Sequence, residues 1–430
     1  MHLNKSMKKI QKIAPYIFIA SLLGAIVAVL LEQTTLSCYA GLATAIFCAL
    51  ATGSIESLKG YQYTAWIAAA VVAGMLFPES FKTWGGVNLR DKTLILVVIQ
   101  LIMFGMGTHM SLKDFSGLHT TGKGVLIGLF CHFSVMPLMG LLLIKVFHFE
   151  PEIAAGVILI GSCSSGLASN VMVYLAKANL VLSVIVTAMA TLAAPFLTPL
   201  LMQTLAGSLI QINFVDMMVE IVKIVIVPIG AALVHDYLKN ASDTQLKKSI
   251  IFLALSTLWL LFVLFYKDQI ASVNGHQSFV LSGFMAGAVL VGFIYHQLYK
   301  RFAAIDKVMP FISMVGIVYF ILVTTAAGRE NLMKVGFLLF IASVIHNAAG
   351  YFFGYWFSRF FGMDKNSSRT IAFEVGLQNG GMASGIAGSM GKLGTVGLAA
   401  AVFSPWMNIS GSILANYWRK KPVDDEDNIS

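Results

Sequence analysis

The chain alternates between long apolar runs and short polar segments along almost its whole length. Each run holds about 17–25 apolar residues, which is the length that an α-helix needs to cross the hydrocarbon core of a bilayer. Backbone N–H and C=O groups cannot stay unpaired in lipid, and a barrel strand would instead alternate over about ten residues, so the runs predict helices. Fourteen spans are predicted, beginning near residues 13, 36, 64, 93, 124, 154, 180, 217, 249, 278, 309, 335, 371 and 394.

The composition agrees with an all-α polytopic membrane protein. Of the 430 residues, 57% are apolar and 11% are charged, whereas about 25% of the residues of a soluble protein are charged. A soluble fold with so few charges could not cover its surface with polar groups. Most of the surface is therefore expected to face the lipid bilayer.

The basic residues divide unequally between the two sides of the predicted membrane. If both termini lie in the cytoplasm, twenty Lys and Arg residues fall on the inside and eight on the outside, with Lys223 inside a span. This bias follows the positive-inside rule. We therefore expect a multi-pass protein of the plasma membrane, in bacteria the inner membrane, with both termini cytoplasmic. Membrane topology also explains the net charge of +9, so no nucleic acid partner is expected.

Small and polar residues interrupt two spans at corresponding places in the two halves of the chain. Seven spans lie on each side of a division near 207–211, and an odd-numbered repeat gives two copies of opposite orientation, as in many secondary transporters. The interruptions lie near 161–170 and 374–384, each after a helix with an internal histidine, His132 or His346. Irregular backbone at membrane depth must line a cavity or coordinate an ion, so the breaks predict the binding site.

Glu374 is the most informative residue, because it lies in an apolar context with no basic residue within four positions. A charge at mid-membrane costs about 3 kcal/mol on insertion scales and needs a cation or a water-filled cavity nearby. Glu374 and Gln378, with the carbonyls between them, predict an oxygen site for an alkali cation, on which Ser169 and Asn170 would converge. The alternative is a carboxylate at a helix end, solvated from the loop that contains Arg369.

Several other polar residues have more than one interpretation. Ser183 and Thr187 are four residues apart, so they share a helix face and could complete an oxygen shell; alternatively, they bond to a preceding carbonyl of their own helix. His132 could be a ligand or could hydrogen-bond a neighbouring carbonyl. His346 and Asn347 favour hydrogen bonds between helices.

Four motifs resemble the bile acid:sodium symporter family. They are Met103-Phe-Gly-Met-Gly107, Gly166-Leu-Ala-Ser-Asn170, Glu374-Val-Gly-Leu-Gln-Asn379 and Asn408-Ile-Ser-Gly-Ser412. The similarity covers residues 64–237 and 306–418 in the right order, and the Glu-Val-Gly-x-Gln-Asn element is quite specific. The resemblance implies ten helices in two inverted repeats, with two crossed discontinuous helices in a core domain and a panel domain that moves against it.

The resemblance also implies a domain organisation, with four helices beyond the family's ten. The expected units are an N-terminal extra helix pair at 1–59, the first panel helices at 60–108, the first core half at 109–206, a second panel region with two additional helices at 207–330, the second core half at 331–418 and a cytoplasmic tail at 419–430. Either span eight or span ten could take the place of the family's sixth helix.

The same resemblance implies two sodium ions behind the crossing and an organic anion in front of it. The first sodium site would use the side chains of Ser169, Asn170, Ser183, Thr187 and Glu374. The second would share Glu374 and add Gln378, the carbonyls of Val375 and Leu377, and the side chain of His132. One carboxylate and two sodium ions leave a charge of +1, which a monoanionic substrate would neutralise.

Three departures from the family pattern lie next to these sites. Position 132 is usually Gln and here is His132, and Met407 stands where a His is common. The first break normally reads Cys-Pro-Gly-Gly-Thr, whereas here it is Cys163-Ser-Ser-Gly-Leu167. Two polar groups on the substrate side have thus become apolar, so the usual ligands cannot be assumed. The expected substrate-binding residues are Leu167, Asn379, Met407 and Asn408.

The main functional hypothesis is a sodium-coupled symporter that works by alternating access. Its expected substrate is a small organic carboxylate or sulfonate of the bile-acid-like or pantoate-like class. A proton-coupled anion carrier is the alternative within transport, because an unperturbed His132 would titrate near neutral pH. An intramembrane enzyme using Glu374 is the rival class, but the sequence has no His-Glu-x-x-His motif and no evident nucleophile–base pair. No catalytic residue and no cofactor besides Na⁺ are expected, and the oligomeric state is left open.

Overall fold

The computed structural model describes residues 2–113, 118–271 and 276–423, and nearly all of that part is α-helical. The α-helices are α1 (His2–Leu30), α2 (Thr34–Ser54), α3 (Gln62–Leu76), α4 (Lys92–Gly107), α5 (Leu118–Phe147), α6 (Pro151–Ser162), α7 (Leu167–Leu175), α8 (Leu180–Ala206), α9 (Phe214–Ile221), α10 (Val227–Asn240), α11 (Asp243–Phe265), α12 (Lys267–Ala271), α13 (His276–Arg301), α14 (Ile305–Ala327), α15 (Arg329–Phe360), α16 (Lys365–Gly376), α17 (Gly380–Ser389) and α18 (Gly397–Arg419).

Only a few short elements interrupt this helical order. A π-helical segment, Val222–Ile226, joins α9 to α10. An antiparallel hairpin pairs β1 (Thr83–Trp84) with β2 (Val87–Asn88). The predicted all-α class is therefore confirmed. Residues 424–430, most of the predicted tail, lie outside the described residues.

Ten helices of the described chain are long and apolar enough to cross a membrane: α1, α2, α5, α8, the continuous α9–α10 helix, α11, α13, α14, α15 and α18. The other four predicted spans coincide with α3, of 15 residues, α4, of 16 residues, and the pairs α6–α7 and α16–α17. The chain is thus a polytopic membrane protein. That all fourteen segments cross the bilayer stays a prediction.

Polar residues in the short loops decide where several helices begin. The side chain of Asn179 accepts a hydrogen bond from the first turn of α8, and Asp364 does the same for α16. Ser242 and Gln245 form a capping box at the start of α11. Each cap satisfies an N–H group that the first helical turn leaves unpaired. The polar interruptions of the apolar pattern therefore mark real helix starts.

The helices pack into two groups. In the core group, α5, α6, α8, α15, α16 and α18 pack together, and α7 lies among them. In the panel group, α3, α4, α10 and α14 pack together, and α17 contacts α4 across the boundary. The core group combines helices from 109–206 and 331–418, whereas the panel group combines helices from 60–108 and 207–330. That the two groups move as domains stays a prediction.

The contact between α15 and α16 depends on small residues. A Cβ at Gly350 of α15 would lie 2.7 Å from the Cα of Gly376, the last residue of α16. Without a side chain at Gly350 the two backbones approach closely, as is common between helices in membranes. This contact holds the end of α16, and therefore the second break, against the long helix α15.

The additional helices lie at the periphery. α1 and α2 pack on each other, with α2 against α3. The α9–α10 helix, which is predicted span eight, packs directly against α4, whereas α13, which is predicted span ten, packs against α10 and α11. Within α11 only Ser256 and Val263 are buried. Most of that apolar helix therefore faces outwards, as expected of a helix in contact with lipid.

Candidate functional site

The two interrupted spans meet at their breaks. The breaks are residues 163–166, between α6 and α7, and residues 377–379, between α16 and α17. Cys163 and Leu377, which open them, are extended, and an antiparallel bridge joins Ser165 to Gln378. The structure thus brings together the two polar interruptions of the sequence, which lie more than two hundred residues apart.

Backbone hydrogen bonds hold the crossing together. The Gly166 N–H donates to the Leu377 carbonyl at 3.0 Å, and the Asn379 N–H donates to the Ser164 carbonyl at 2.8 Å. A Cβ at Gly166 would lie 3.0 Å from the carbonyl oxygen of Gln378, so a side chain there would push the segments apart. Each break thus provides hydrogen-bond partners for backbone N–H and C=O groups that the other break leaves unpaired. Such pairing is required in the bilayer interior, where no water is present to hydrogen-bond the backbone.

Glu374 lies in the last turn of α16 and is fully buried. Its carboxylate accepts hydrogen bonds from the Ser183 hydroxyl at 2.5 Å and the Thr187 hydroxyl at 2.9 Å. Among the described residues no cation forms an ion pair with it. Arg369 instead lies over the ring of Trp418. The full burial of Glu374 does not fit the alternative of a carboxylate solvated from a loop.

The five side chains predicted for the first sodium site form one hydrogen-bonded cluster. The Asn170 amide oxygen lies 2.6 Å from the Ser183 hydroxyl and 3.2 Å from the Thr187 hydroxyl. Ser169 lies 3.4 Å from Thr187, hydroxyl to hydroxyl. Together with Glu374, these residues bring oxygens from α7, α8 and α16 to one buried place. No cluster of His, Cys, Asp or Glu of the kind that transition metals use occurs in the described part of the chain.

Acceptors outnumber protons in this cluster. The hydroxyls of Ser183 and Thr187 each lie within hydrogen-bond distance of two acceptors, the Asn170 amide oxygen and the Glu374 carboxylate. Each hydroxyl has a single proton to donate, so two of these four oxygen–oxygen contacts have no proton between them. A cation would bind the unsatisfied oxygens and neutralise the buried carboxylate, and ligands made only of oxygen suit an alkali ion.

The oxygens predicted for the second sodium site have a different environment. The Val375 carbonyl accepts from the side-chain amide of Gln378 at 2.7 Å, and the Leu377 carbonyl accepts from the Gly166 N–H. The amide oxygen of Gln378 is buried and has no hydrogen-bond partner. In this set, therefore, the carbonyls already have donors and the Gln378 amide oxygen is unsatisfied.

His132 is fully buried, and both of its ring nitrogens face backbone carbonyls. Nδ1 lies 2.9 Å from the Glu374 carbonyl oxygen and Nε2 lies 2.7 Å from the Cys163 carbonyl oxygen. The geometry matches the second interpretation of this residue, a hydrogen bond to a neighbouring carbonyl, and links α5 to both broken helices. To act as a cation ligand, His132 would have to turn one nitrogen away from its carbonyl. That role stays a prediction.

Of the predicted substrate-side residues, Asn379 belongs to the second break, and Met407 of α18 contacts it. The Asn379 amide oxygen accepts from the Met382 N–H at 2.9 Å and so caps α17. The Asn379 amide nitrogen is buried and has no partner. The Met407 sulfur accepts from the Gln378 N–H at 3.3 Å, so this side chain serves the crossing itself. Asn379 thus offers an unused donor, whereas Met407 is already engaged.

The other two predicted substrate-side residues are only partly buried. Leu167 begins α7 next to the crossing. Asn408 donates from its amide nitrogen to the Ser404 carbonyl of the preceding turn at 2.9 Å. These contacts do not test substrate binding, and all four assignments stay predictions.

The hydrogen bonds predicted between helices for His346 and Asn347 are confirmed. His346 Nε2 lies 3.0 Å from the Met136 carbonyl oxygen of α5. Asn347 donates from its amide nitrogen to the Gly376 carbonyl at 2.8 Å and accepts from the Ser410 hydroxyl. Asn347 therefore satisfies a carbonyl that the end of α16 would leave unpaired, and it connects α18 to the second break.

Ser165 is a member of the oxygen cluster that sequence reasoning did not assign. Its hydroxyl donates to the Ser169 hydroxyl at 3.2 Å, and the side chain is fully buried. Its position within the polar run of the first break was the available signal. Because a break does not follow helical periodicity, the sequence could not say which of its hydroxyls points inwards.

A cavity of about 310 Å³ lies between the panel helices and α17. Its walls include Lys92 at the start of α4, Glu220 of α9, and Gly385 and Ser389 of α17. Glu220 accepts a hydrogen bond from Lys223 of the π-helical segment at 2.7 Å. Lys223, which the sequence analysis places within a predicted span, thus has a carboxylate partner beside this cavity. The ion pair lowers the free-energy cost of placing a charged group in the membrane.

Comparison with known proteins gives a consistent result. Residues 96–275 match the model of the sodium bile acid symporter family. The chain is 32% identical over 368 residues to the "uncharacterized sodium-dependent transporter YocS" of Bacillus subtilis, covering 85% of this chain and 94% of that protein. It is 27% identical to the "probable sodium/metabolite cotransporter BASS1, chloroplastic" of Arabidopsis thaliana, covering 83% and 72%. It is also 27% identical to the human "ileal sodium/bile acid cotransporter", covering 67% of each chain.

Proposed function

Because this chain belongs to the sodium bile acid symporter family, we propose that it is a sodium-coupled symporter of a small organic anion. The family consists of transporters, so the chain is a multi-pass membrane transporter and not an enzyme. Its relatives are sodium-dependent, so sodium is its coupling ion. The finer proposals are a carboxylate or sulfonate substrate, alternating access, and a plasma-membrane location with both termini cytoplasmic.

The oxygen cluster around Glu374 carries the proposal. A fully buried carboxylate has two hydroxyl donors and no ion pair within the described chain. Leaving such a charge without compensation is costly, and a bound cation removes the cost. We therefore assign the first sodium ion to Ser169, Asn170, Ser183, Thr187 and Glu374.

A second sodium ion is proposed to share Glu374. Its further ligands would be the Gln378 amide oxygen, the carbonyls of Val375 and Leu377, and the side chain of His132. The unsatisfied Gln378 oxygen supports this assignment. Two sodium ions and one carboxylate leave a net charge of +1, so a monoanion completes a neutral site. This charge balance couples the anion to the ions, because each is bound better when the other is present.

The organic anion is proposed to bind in front of the crossing. The unused amide donor of Asn379 suits a carboxylate or sulfonate oxygen, and Asn408 of α18 is proposed as a second polar group. Leu167 presents apolar surface at the start of α7, and Met407, which is buried against the crossing, offers no polar group in its place. A substrate with a short anionic head and an apolar body therefore fits these residues best. Access would alternate as the core group moves against the panel group, with the cavity beside α17 as part of the path.

A sodium titration of the purified protein tests the first site directly. A ligand that binds only the native state stabilises it by RT ln(1 + [L]/Kd), about 2.7 kcal/mol at a hundredfold excess over Kd. We expect Na⁺, but not K⁺ at equal ionic strength, to raise the melting temperature of the wild type. Glu374→Gln should abolish this rise and all sodium-dependent uptake. The variant should melt at least as high as the sodium-free wild type, because it no longer buries an unpaired charge.

Glu330→Gln is the matched control, since Glu330 is an exposed carboxylate in the first turn of α15. It should respond to sodium as the wild type does. Retention of the sodium-dependent rise in Glu374→Gln would show that the carboxylate does not hold the ion.

A further inference from the structure

The additional helices leave a groove on the outside of the panel group. α13 packs closely against both α10 and α11, whereas the backbones of α10 and α11 lie further from each other. Side chains of all three helices share one apolar cluster, which includes Leu238, Phe293 and Leu253. The space between α10 and α11 is a cavity of about 490 Å³, floored by α13.

The inner part of the groove is apolar. Phe293 of α13, which is buried, lies at its floor, and Phe252 of α11, which is 58% exposed, forms a wall. The opposite wall includes Gly230 of α10, where an added Cβ would meet no atom within 4 Å. Open space therefore reaches the backbone of α10 itself. An apolar cavity at the surface of a membrane protein is suited to a hydrocarbon chain.

Polar groups lie at one end of the groove. Lys248 and Ser249, near the start of α11, and Tyr237, near the end of α10, line this end. Lys248 is exposed, and no hydrogen bond or ion pair to it is found in the described chain. In the orientation proposed above this end faces the cytoplasm. The ammonium group of Lys248 and the Tyr237 hydroxyl complement a phosphate at the membrane surface, whereas the Ser249 hydroxyl donates to the Gln245 carbonyl.

We propose that the groove between α10 and α11 binds one anionic phospholipid, with an acyl chain beside Gly230 and Phe252 and the phosphate at Lys248. The hydrocarbon wall and the lysine together fit both parts of such a molecule. A soluble anion would leave the groove empty, and in a zwitterionic lipid the phosphate is already offset by the ammonium group of the same headgroup, so it would attract Lys248 less. The lipid would connect α11, which has few buried residues, to the panel group. This inference is independent of sodium coupling.

The experiment uses the full-length protein in detergent, delipidated and then titrated with phosphatidylglycerol or with phosphatidylethanolamine of the same acyl chains. Lipid bound per protein is measured by native mass spectrometry, and the melting temperature is measured in parallel. Phosphatidylglycerol should bind the wild type more tightly than phosphatidylethanolamine. Lys248→Gln should weaken phosphatidylglycerol binding by about fivefold and remove the preference. Gly230→Leu should fill the groove and abolish tight binding of both lipids.

Two variants serve as matched controls. Lys247→Gln removes an adjacent exposed lysine outside the groove lining. Gly287→Leu adds the same side chain at another glycine with open space around it, also outside the lining. Both should bind phosphatidylglycerol as the wild type does. Equal binding of the two lipids by the wild type, wild-type binding by Gly230→Leu, or the same thermal shift with inorganic phosphate alone would each overturn the proposal.

Discussion

The two predicted sodium sets share Glu374 but differ in how their oxygens are satisfied. Around Ser183 and Thr187, side-chain hydroxyls face more acceptors than they have protons for. Around Gln378, the oxygens are mainly backbone carbonyls, and these already accept from internal donors. The first set is therefore deficient in positive charge as it stands, whereas the carbonyls of the second set already share their lone pairs with donors and hold an ion less strongly.

This difference has a physical origin in the crossing. Hydroxyl groups can rotate to present lone pairs to an ion without moving the backbone. The carbonyl of Leu377 is held by the backbone bridge between the two breaks, so reorienting it would disturb the fold of the site. We infer that the first ion binds more tightly than the second, and that sodium activation reflects two unequal affinities.

The largest effect is expected from removing both hydroxyls of the first set. The double variant Ser183→Ala, Thr187→Val deletes two oxygens next to the Glu374 carboxylate. A hydrogen bond or ligand contact to a charged group contributes about 1.5–3 kcal/mol, so the sodium concentration for half-maximal uptake should rise by at least about 100-fold. The control is Thr191→Val, because Thr191 is buried one turn further along α8 and its hydroxyl donates to the backbone carbonyl of Thr187. Unchanged sodium activation in the double variant would remove the hydroxyls from the site.

A smaller effect is expected at Gln378. Gln378→Met keeps a side chain of similar length but removes the unsatisfied amide oxygen and the donor to the Val375 carbonyl. We expect the half-activating sodium concentration to rise by about tenfold, with a lower Hill coefficient, because only the weaker ion is affected. Measured uptake against sodium concentration provides both numbers. A loss as complete as that of the double hydroxyl variant would contradict the idea of two unequal sites.

The smallest effect, and the one of opposite sign, is expected at His132. His132→Gln restores an amide oxygen that suits sodium better than an imidazole nitrogen does. Uptake assays should show sodium activation at a concentration a few times lower and a higher Hill coefficient. His346→Gln is the matched control. His346 is also fully buried and its ring faces a backbone carbonyl, that of Met136, but it makes no hydrogen bond to the oxygens around Glu374 in the described chain. Weaker sodium activation in His132→Gln would indicate that the imidazole is needed to hold the two broken helices together.

The prediction of the fold succeeded where the bilayer imposes a strong local rule. The length of each apolar run follows from bilayer thickness, which is why the predicted starts near 93 and 180 agree with Lys92 and Leu180. Glu374 stood out for the same reason, since a lone carboxylate in an apolar run is rare. Helical spacing offered Ser183 and Thr187 as partners for it, and the resemblance favoured that interpretation over hydrogen bonds within their own helix. Both hydroxyls contact the Glu374 carboxylate in the structure.

Other features depended on contacts between distant segments. Ser165 could not be distinguished from Ser164 by sequence, because an extended break has no helical face. The sequence also left open whether the nitrogens of His132 face an ion or a carbonyl, and the structure has both on carbonyls. These outcomes depend on the relative rotation of α5, α7 and α16, which packing determines.

The sequence by itself determined that this chain is a membrane-embedded helical protein with two polar breaks and one buried carboxylate. Hydropathy, helix length and the cost of an unpaired charge are local properties, so they can be read along the chain. Only the tertiary structure decided which backbone groups of the two breaks pair with each other, that hydroxyl protons are too few for the acceptors around Glu374, and that a groove remains between α10 and α11. Each of these depends on distances between residues far apart in sequence, and such distances follow from packing rather than from local composition.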